Sequence, residues 1–505
     1  MAPTSALTSE QGRRAALLVL TAVAFGLLAQ LLFYGVGLGV NYPATIAVVL
    51  IVGWLARPPD APAIRLPDAW LPAAALTLAA FVALRGDATL VTLDVLGSLA
   101  LVGAALASFA GVPVVEQSLD RLTALGRRVL AAAAWGAVEP LGTAARSVPP
   151  GRTRGQLART APVVRGLVIA IPLLLVFGLL FAAADAVFAR YVEDFFNWQA
   201  DWDALVGRSI MALVAAWLAA GMLAFISSQP AAHAAQPTAW WVSRPRIGTA
   251  ESLTVLSALN ILFAIFVAVQ ATYLFGGLDT LKASGLTYAE YARRGFFELL
   301  AVAFGVATVI LLLEAFVTHR SRAYVVTAVG LVALTMVVLA SAYLRLRLYQ
   351  DAYGWTELRF YVLAAIMWLA IGAAGTVLAL ATNRTRWLIH GMMGLSIMFG
   401  IAFNVIGPVR FIAERNAERA VNPSLVPPDG RTGLDVYYLA GLGTDADIVL
   451  AEALPRLPPA ERAATEAALR DNAAWLAADT QSQAWQAWNY SRQRARAMLT
   501  EESAP

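Results

Sequence analysis

The run Arg13-Arg14-Ala15-Ala16-Leu17-Leu18-Val19-Leu20-Thr21-Ala22-Val23-Ala24-Phe25-Gly26-Leu27-Leu28-Ala29-Gln30-Leu31-Leu32-Phe33 holds no charge between Arg14 and its end. A helix crossing a hydrocarbon core of about 30 Å needs about 20 such residues. Two arginines ahead of an apolar stretch also mark a secretory leader. This run is long for a cleavable segment, lacks an A-x-A site and is followed by many more of its kind, so it reads as an uncleaved first helix.

Working outward from 15–34, further apolar runs lie at 38–56, 69–84, 88–112, 163–184, 209–227, 251–276, 295–318, 323–345, 358–381 and 387–407. The second is interrupted by Asn41 and Pro43, and the third is short. The expected fold is all-α: a polytopic transmembrane helical bundle of about 11 spans with a small helical C-terminal tail. The expected divisions are a four-span region (1–112), a basic cytoplasmic amphipathic segment (113–160), a seven-span membrane core (161–407) and an extracytoplasmic tail (408–505).

Composition agrees. Of 505 residues, 59% are hydrophobic and only 14% charged, with a mean hydropathy of +0.66. A soluble domain is about 25% charged and would expose too much of this apolar surface. The chain has no cysteine and only three histidines, His233, His319 and His390. That excludes disulfides, thiolate metal sites, iron–sulfur clusters and a cysteine nucleophile, and no H-E-x-x-H pattern occurs. All but one of the 37 basic residues are arginine; Lys282, the exception, follows Leu281, so no Walker loop exists. No metal, cofactor or nucleic-acid partner is expected. The lipid bilayer is the one partner implied, with any protein partner or small ligand left open.

Arginine placement orients the spans. Residues 113–160 hold Arg121, Arg127, Arg128, Arg146, Arg152, Arg154 and Arg159, and alternate short loops carry Arg244/Arg246, Arg320/Arg322 and Arg384/Arg386. Arg57/Arg65 and Arg13/Arg14 fall on the same side, whereas 185–208 is acidic. The N-terminus and 113–160 are therefore expected in the cytoplasm of a multi-pass cell-membrane protein, and the tail outside. The stripe Leu119, Leu122, Leu125, Val129 and Trp135 suggests an amphipathic helix on the inner leaflet. The tail should form helices near 409–420, 433–455 with a break, 459–478 and 482–499.

Three charge-rich stretches fall on the outer face. In the first, Thr287 and Glu290 form a capping box, and Glu290, Arg294 and Glu298 are spaced as an i,i+4 ladder beside Arg293. The second, from Tyr343 to Arg359, holds the pair Arg347 and Asp351, a helix stop at Gly354, and Glu357 with Arg359 at the next helix start. The third, after Pro408, carries Arg415, Asn416 and Arg419. Either they lock the tail in place or they face a substrate. Within the spans, polar residues are sparse: Asp94, Asn260, Gln270, Glu314, His390 and Asn404. Asp94 and Glu314 lie near span ends, within reach of water or headgroups. A hydrogen-bonded packing role suits His390 better than a proton relay.

Several motifs occur in order: Gly39-Val40-Asn41-Tyr42-Pro43, Ala184-Asp185-Ala186-Val187-Phe188-Ala189, the 288–298 run and Gly354-Trp355-Thr356-Glu357-Leu358-Arg359. They continue with 411–419, Leu434-Asp435-Val436-Tyr437-Tyr438-Leu439 and Trp488-Asn489-Tyr490-Ser491-Arg492. Together they resemble a bacterial polytopic membrane family catalogued as a domain of unknown function, number four-one-seven-three, over essentially the whole chain after the first span. The resemblance implies an integral membrane protein with a helical tail and no particular reaction. The residues leave three readings: a non-catalytic scaffold or sensor with a clamped tail; a small-solute permease entering beside Asn260 and Gln270; and an enzyme on a lipid-linked substrate with Glu298 or Glu290 as general base.

Overall fold

A computed structural model describes residues 3–143 (apart from 60, 116, 118, 139 and 142), 202–227, 247–275, 296–317 and 320–502 (apart from 429). Everything described is helix, turn or loop, with a single isolated bridge between Ile247 and Val317. The bundle comprises α1 (Pro3–Phe33), α2 (Asn41–Leu55), α3 (Leu71–Val82), α4 (Ala88–Phe109), α5 (Leu119–Trp135), α6 (Trp202–Ser227), α7 (Thr249–Phe275), α8 (Phe296–Phe316), α9 (Arg322–Tyr353), α10 (Glu357–Ala381) and α11 (Leu388–Ile406). The tail adds α12 (Pro408–Val421), α13 (Val436–Ala440), α14 (Thr444–Ala453), α15 (Pro459–Ala478) and α16 (Tyr490–Glu502).

Seven of these helices are long and apolar enough to cross a membrane, within α1, α4, α6, α7, α9, α10 and α11. Their packing explains the composition. Leu17, Leu20, Leu27 and Leu31 of α1 and Ile261, Leu262 and Ile265 of α7 are exposed. Such unbroken apolar faces suit lipid rather than water. Eleven spans are not reached among the described residues. The expected second and third spans shrink to α2 and α3, of 15 and 12 residues. At 1.5 Å per residue these are only about 22 and 18 Å long. Asn41 explains the late start of α2: its amide turns back to donate to the carbonyls of Leu32 and Gly37 at 2.9 and 3.0 Å, and accepts from the Gly39 N–H at 2.8 Å. The expected span 163–184 and acidic loop 185–208 fall largely outside the described residues.

One core gathers α2, α3, α4 and part of α6, including Ile46, Leu78, Leu106 and Ile226. A second gathers α7 to α10, including Leu256, Ile310, Leu331 and Ile366. Helix α11 joins them, with Ile397 and Ile401 packed on the first core. Helix α5 differs from expectation. Leu122, Leu125 and Val129 pack on the first core, while Trp135 points away with 73% of its surface exposed. The helix lies against α6, where Gly221 permits an approach so close that a Cβ there would sit 2.1 Å from the Ala132 carbonyl oxygen. Trp217 fixes the crossing by donating to the Ala134 carbonyl at 2.8 Å.

Candidate functional site

The polar chemistry concentrates where the chain leaves the bundle. Gly407 caps α11 in the left-handed region (φ 67°) and Pro408 opens α12, so the chain bends between a helix stop and a helix start. The tail then folds back over three connections at this end: α1–α2, α3–α4 and α9–α10.

The α9–α10 hairpin is gripped from α12. Asn416 accepts from the Trp355 N–H at 2.9 Å and returns its amide to the Trp355 carbonyl at 2.8 Å, as a neighbouring strand would. Arg419 donates to the carbonyls of Asp351 and Ala352. Arg359 ties off the hairpin itself, bonding the Tyr353 and Gly354 carbonyls at 3.1 and 2.6 Å with its guanidinium over the Tyr349 ring. Gly354 is required here: its φ is +77°, and a Cβ would lie 2.4 Å from Asn416 Oδ1. Beneath, Trp355 and Phe360 meet Phe411 in a cluster continuous with Ile412, Leu439, Ile448 and Leu469 of the tail.

The other two connections are held by 481–492. Asn489 donates to the carbonyls of Val82 and Arg85 at 3.0 and 2.9 Å, and Tyr490 N–H to that of Ala83 at 2.9 Å, so the C-terminal carbonyls of α3 are capped by the tail. Val40 N–H donates to the Trp488 carbonyl at 2.9 Å and Gly37 N–H to that of Gln481 at 3.1 Å, while Arg492 reaches the Leu38 carbonyl. Gly86 N–H donates to Asp445 at 2.9 Å, with Thr444 and Ser491 bonded to one another at 2.7 Å alongside.

Behind this seam lies a buried polar group. Asp94 on α4 accepts from the Asn404 amide on α11 at 2.7 Å, and Arg85 donates to the Asn404 backbone oxygen. Asp87 caps α4 by accepting from Leu90 N–H at 3.0 Å, and Thr89 bonds Glu357 at 3.0 Å. Burial, with Glu357 and Asp445 adding like charge, pushes the Asp87 carboxyl up to about 6. Beside the seam is a crevice of about 690 Å³ where Arg85, Arg492, Trp475 and Asp447 meet. Burial pushes Asp447 up to about 6 as well, although it accepts from Asn472 at 2.7 Å.

The residues anticipated from sequence divide accordingly. Arg359, Asn416 and Arg419 converge on the hairpin, and Glu357 turns to Thr89 and presents its N–H to the Tyr438 hydroxyl at 2.9 Å. Arg347 pairs with Asp351 at 3.8 Å on the surface, and Arg415 faces outward to Glu418 at 3.1 Å. Glu298 is exposed at the start of α8. Glu290, Arg293 and Arg294 lie outside the described residues. Asn260 donates to the Thr327 carbonyl at 2.9 Å and Gln270 accepts from Ser341, so both stitch α7 to α9. His390 packs edge-on to Trp387.

One expectation needs correction. Asp94 does not reach water: it is 2% exposed. Glu314 is held by Arg320 and by Tyr324 at 2.9 Å. From sequence, none of Arg85, Asp87 and Asp445 is singled out, and Asn489 is named only as part of a motif. The signal available for the last was the Trp488–Arg492 motif, where Asn489 precedes a helix and accepts from the Arg492 N–H three residues on at 3.0 Å.

The fold and its apolar exterior define a helical, multi-pass membrane protein. A family model described as Domain of unknown function (DUF4153) matches residues 72–453, and the chain belongs to that family. The match runs from α3 to the end of α14, narrower than the resemblance suggested, and leaves the 39–43 and 488–492 motifs outside. No curated protein and no solved structure matches.

Proposed function

We propose that the protein is a non-catalytic membrane scaffold or sensor whose helical tail is clamped over one end of the bundle, on the extracytoplasmic side. The observation that carries this reading is that the tail's side chains bond the main chain of the connections beneath. Asn416, Arg419, Asn489 and Arg492 all donate to main-chain carbonyls of the three connections, which are contacts that hold a shape rather than bind a solute. Each bond of this kind contributes about 1 kcal/mol, so the lock is the sum of many. The permease reading finds less support. Asn260 and Gln270 spend their amides between helices, and the cavity of about 330 Å³ among α8 to α11 is lined mainly by aliphatic groups, Trp368 and Met392.

The reading is tested by protease nicking of the tail in intact membrane vesicles. N416A and R359A should each be cleaved faster than the native chain. Unchanged cleavage in both disposes of the clamp.

A further inference from the structure

The pairing of Asp94 with Asn404 leaves a matched pair of vacancies in its hydrogen bonding. Both side chains are buried, Asp94 2% exposed and Asn404 fully covered. The Asn404 amide nitrogen spends its two hydrogens on Asp94 Oδ1 at 2.7 Å and on the Gly400 carbonyl at 3.0 Å. That assigns the amide orientation, because the flipped form would set oxygen against two acceptors. The second oxygen of each group, Asp94 Oδ2 and Asn404 Oδ1, then has no donor among the described residues. Two bare acceptors in an apolar interior are costly, and a bare carboxylate oxygen most of all.

We propose that Asp94 is held as the neutral carboxylic acid, binding one proton that it shares with Asn404 in a cyclic acid–amide pair. One proton taken from water onto Asp94 Oδ2 makes that atom a donor, and Asn404 Oδ1, the bare acceptor of the amide that Asp94 already bonds, is the partner assigned to it. A single proton thus completes both atoms and removes a charge from the interface of α4 with α11.

The surrounding groups fit this count. Arg85, from the α3–α4 connection, donates to the Asn404 backbone oxygen rather than to either Asp94 oxygen. Asp87, two turns earlier at the N-cap of α4, adds like charge at Asp94 that opposes the charge of Arg85. Tyr42 of α2 is occupied with Ser98 at 2.7 Å and the Val95 carbonyl at 3.2 Å. Tyr361 of α10, near both acids, has its hydroxyl without a partner among the described residues and brings no cation. The pair sits one turn before the Gly407 bend, so the proton fastens the helix from which the tail departs.

The test uses the full chain in lipid nanodiscs and does not depend on whether the tail is a scaffold. Infrared spectra at neutral pH, in choline buffer, should show the carbonyl stretch of a buried carboxylic acid, lost in D94N. Thermal unfolding separates the chemistry further. The amide of D94N can make both bonds of the ring, so this variant should melt as the native chain does, whereas N404L should melt lower. Absence of the acid band, or a D94N melting point that falls as far as that of N404L, overturns the proposal. A native melting point raised by sodium but not choline, with no such rise in D94N, would assign the site to a metal cation instead and equally overturn it.

Discussion

At the residue scale, the tail seam depends on side chains that bond backbone rather than one another. Asn489 is buried and caps the end of α3 through two carbonyls while its own oxygen accepts from Arg492 N–H at 3.0 Å. N489A leaves those groups unsatisfied and should cost about 1–3 kcal/mol, read as a lower melting temperature in detergent. Asp447 supplies a pH signature. Its carboxyl lies at about 6 in the folded chain, above the ordinary 3.8, so the folded state binds the proton more tightly than the unfolded one. Its stabilising contribution is complete below about 3.8 and is lost as the pH rises through about 6. Unfolding followed between these limits should show stability falling with rising pH, with a shallower slope in D447N, where the Asn472 bond survives but the titration does not.

Among the elements, two turns are set by contact distance. Gly86 packs so tightly under the start of α14 that a Cβ would fall 2.0 Å from Thr444 Oγ1 and 2.7 Å from Ser491 Oγ. G86A should therefore lift the tail from the α3–α4 connection and speed nicking there, leaving the α9–α10 contact in place. G354A combines a left-handed backbone with a clash against Asn416. It should cost roughly 1–3 kcal/mol and loosen the other contact. Comparing cleavage maps of the two variants tells whether the tail detaches in parts or as one body. The same scale shows why α2 is shorter than its apolar run. Apolar length predicts spans, but Asn41 pulls the start of α2 into a tight turn, and that bond is visible only once Leu32 and Gly37 are placed beside it.

For the whole molecule, the three connections under the tail share one end, while elsewhere Arg320 of the α8–α9 connection donates to Asn383 and Thr385 of the α10–α11 connection. From arginine placement these latter connections are expected in the cytoplasm. The matching prediction concerns sidedness. Alkaline phosphatase fused after Pro505 should be active and fused within 140–155 inactive, since positive residues near span ends remain in the cytoplasm while long hydrophilic segments translocate largely regardless of charge. The reverse pattern would place the clamped seam on the inner side.

Composition and apolar run length were enough to make this an all-helical chain with lipid-facing spans, because every backbone polar group in a bilayer must be satisfied within its own helix, and that is a local property. Helix stops were legible for the same reason: Gly354 and the Gly407-Pro408 step act over a few residues. The motif residues Arg359, Asn416 and Arg419 stood out as polar groups needing partners, but those partners are main-chain carbonyls about 60 residues or more away for the last two. A carbonyl has no sequence signature. The seam, the capping of α3 by Asn489 and the meeting of Asp94 with Asn404 across 310 residues were decided only by tertiary packing, which brings together groups whose need for a partner is written in the sequence but whose partner is not.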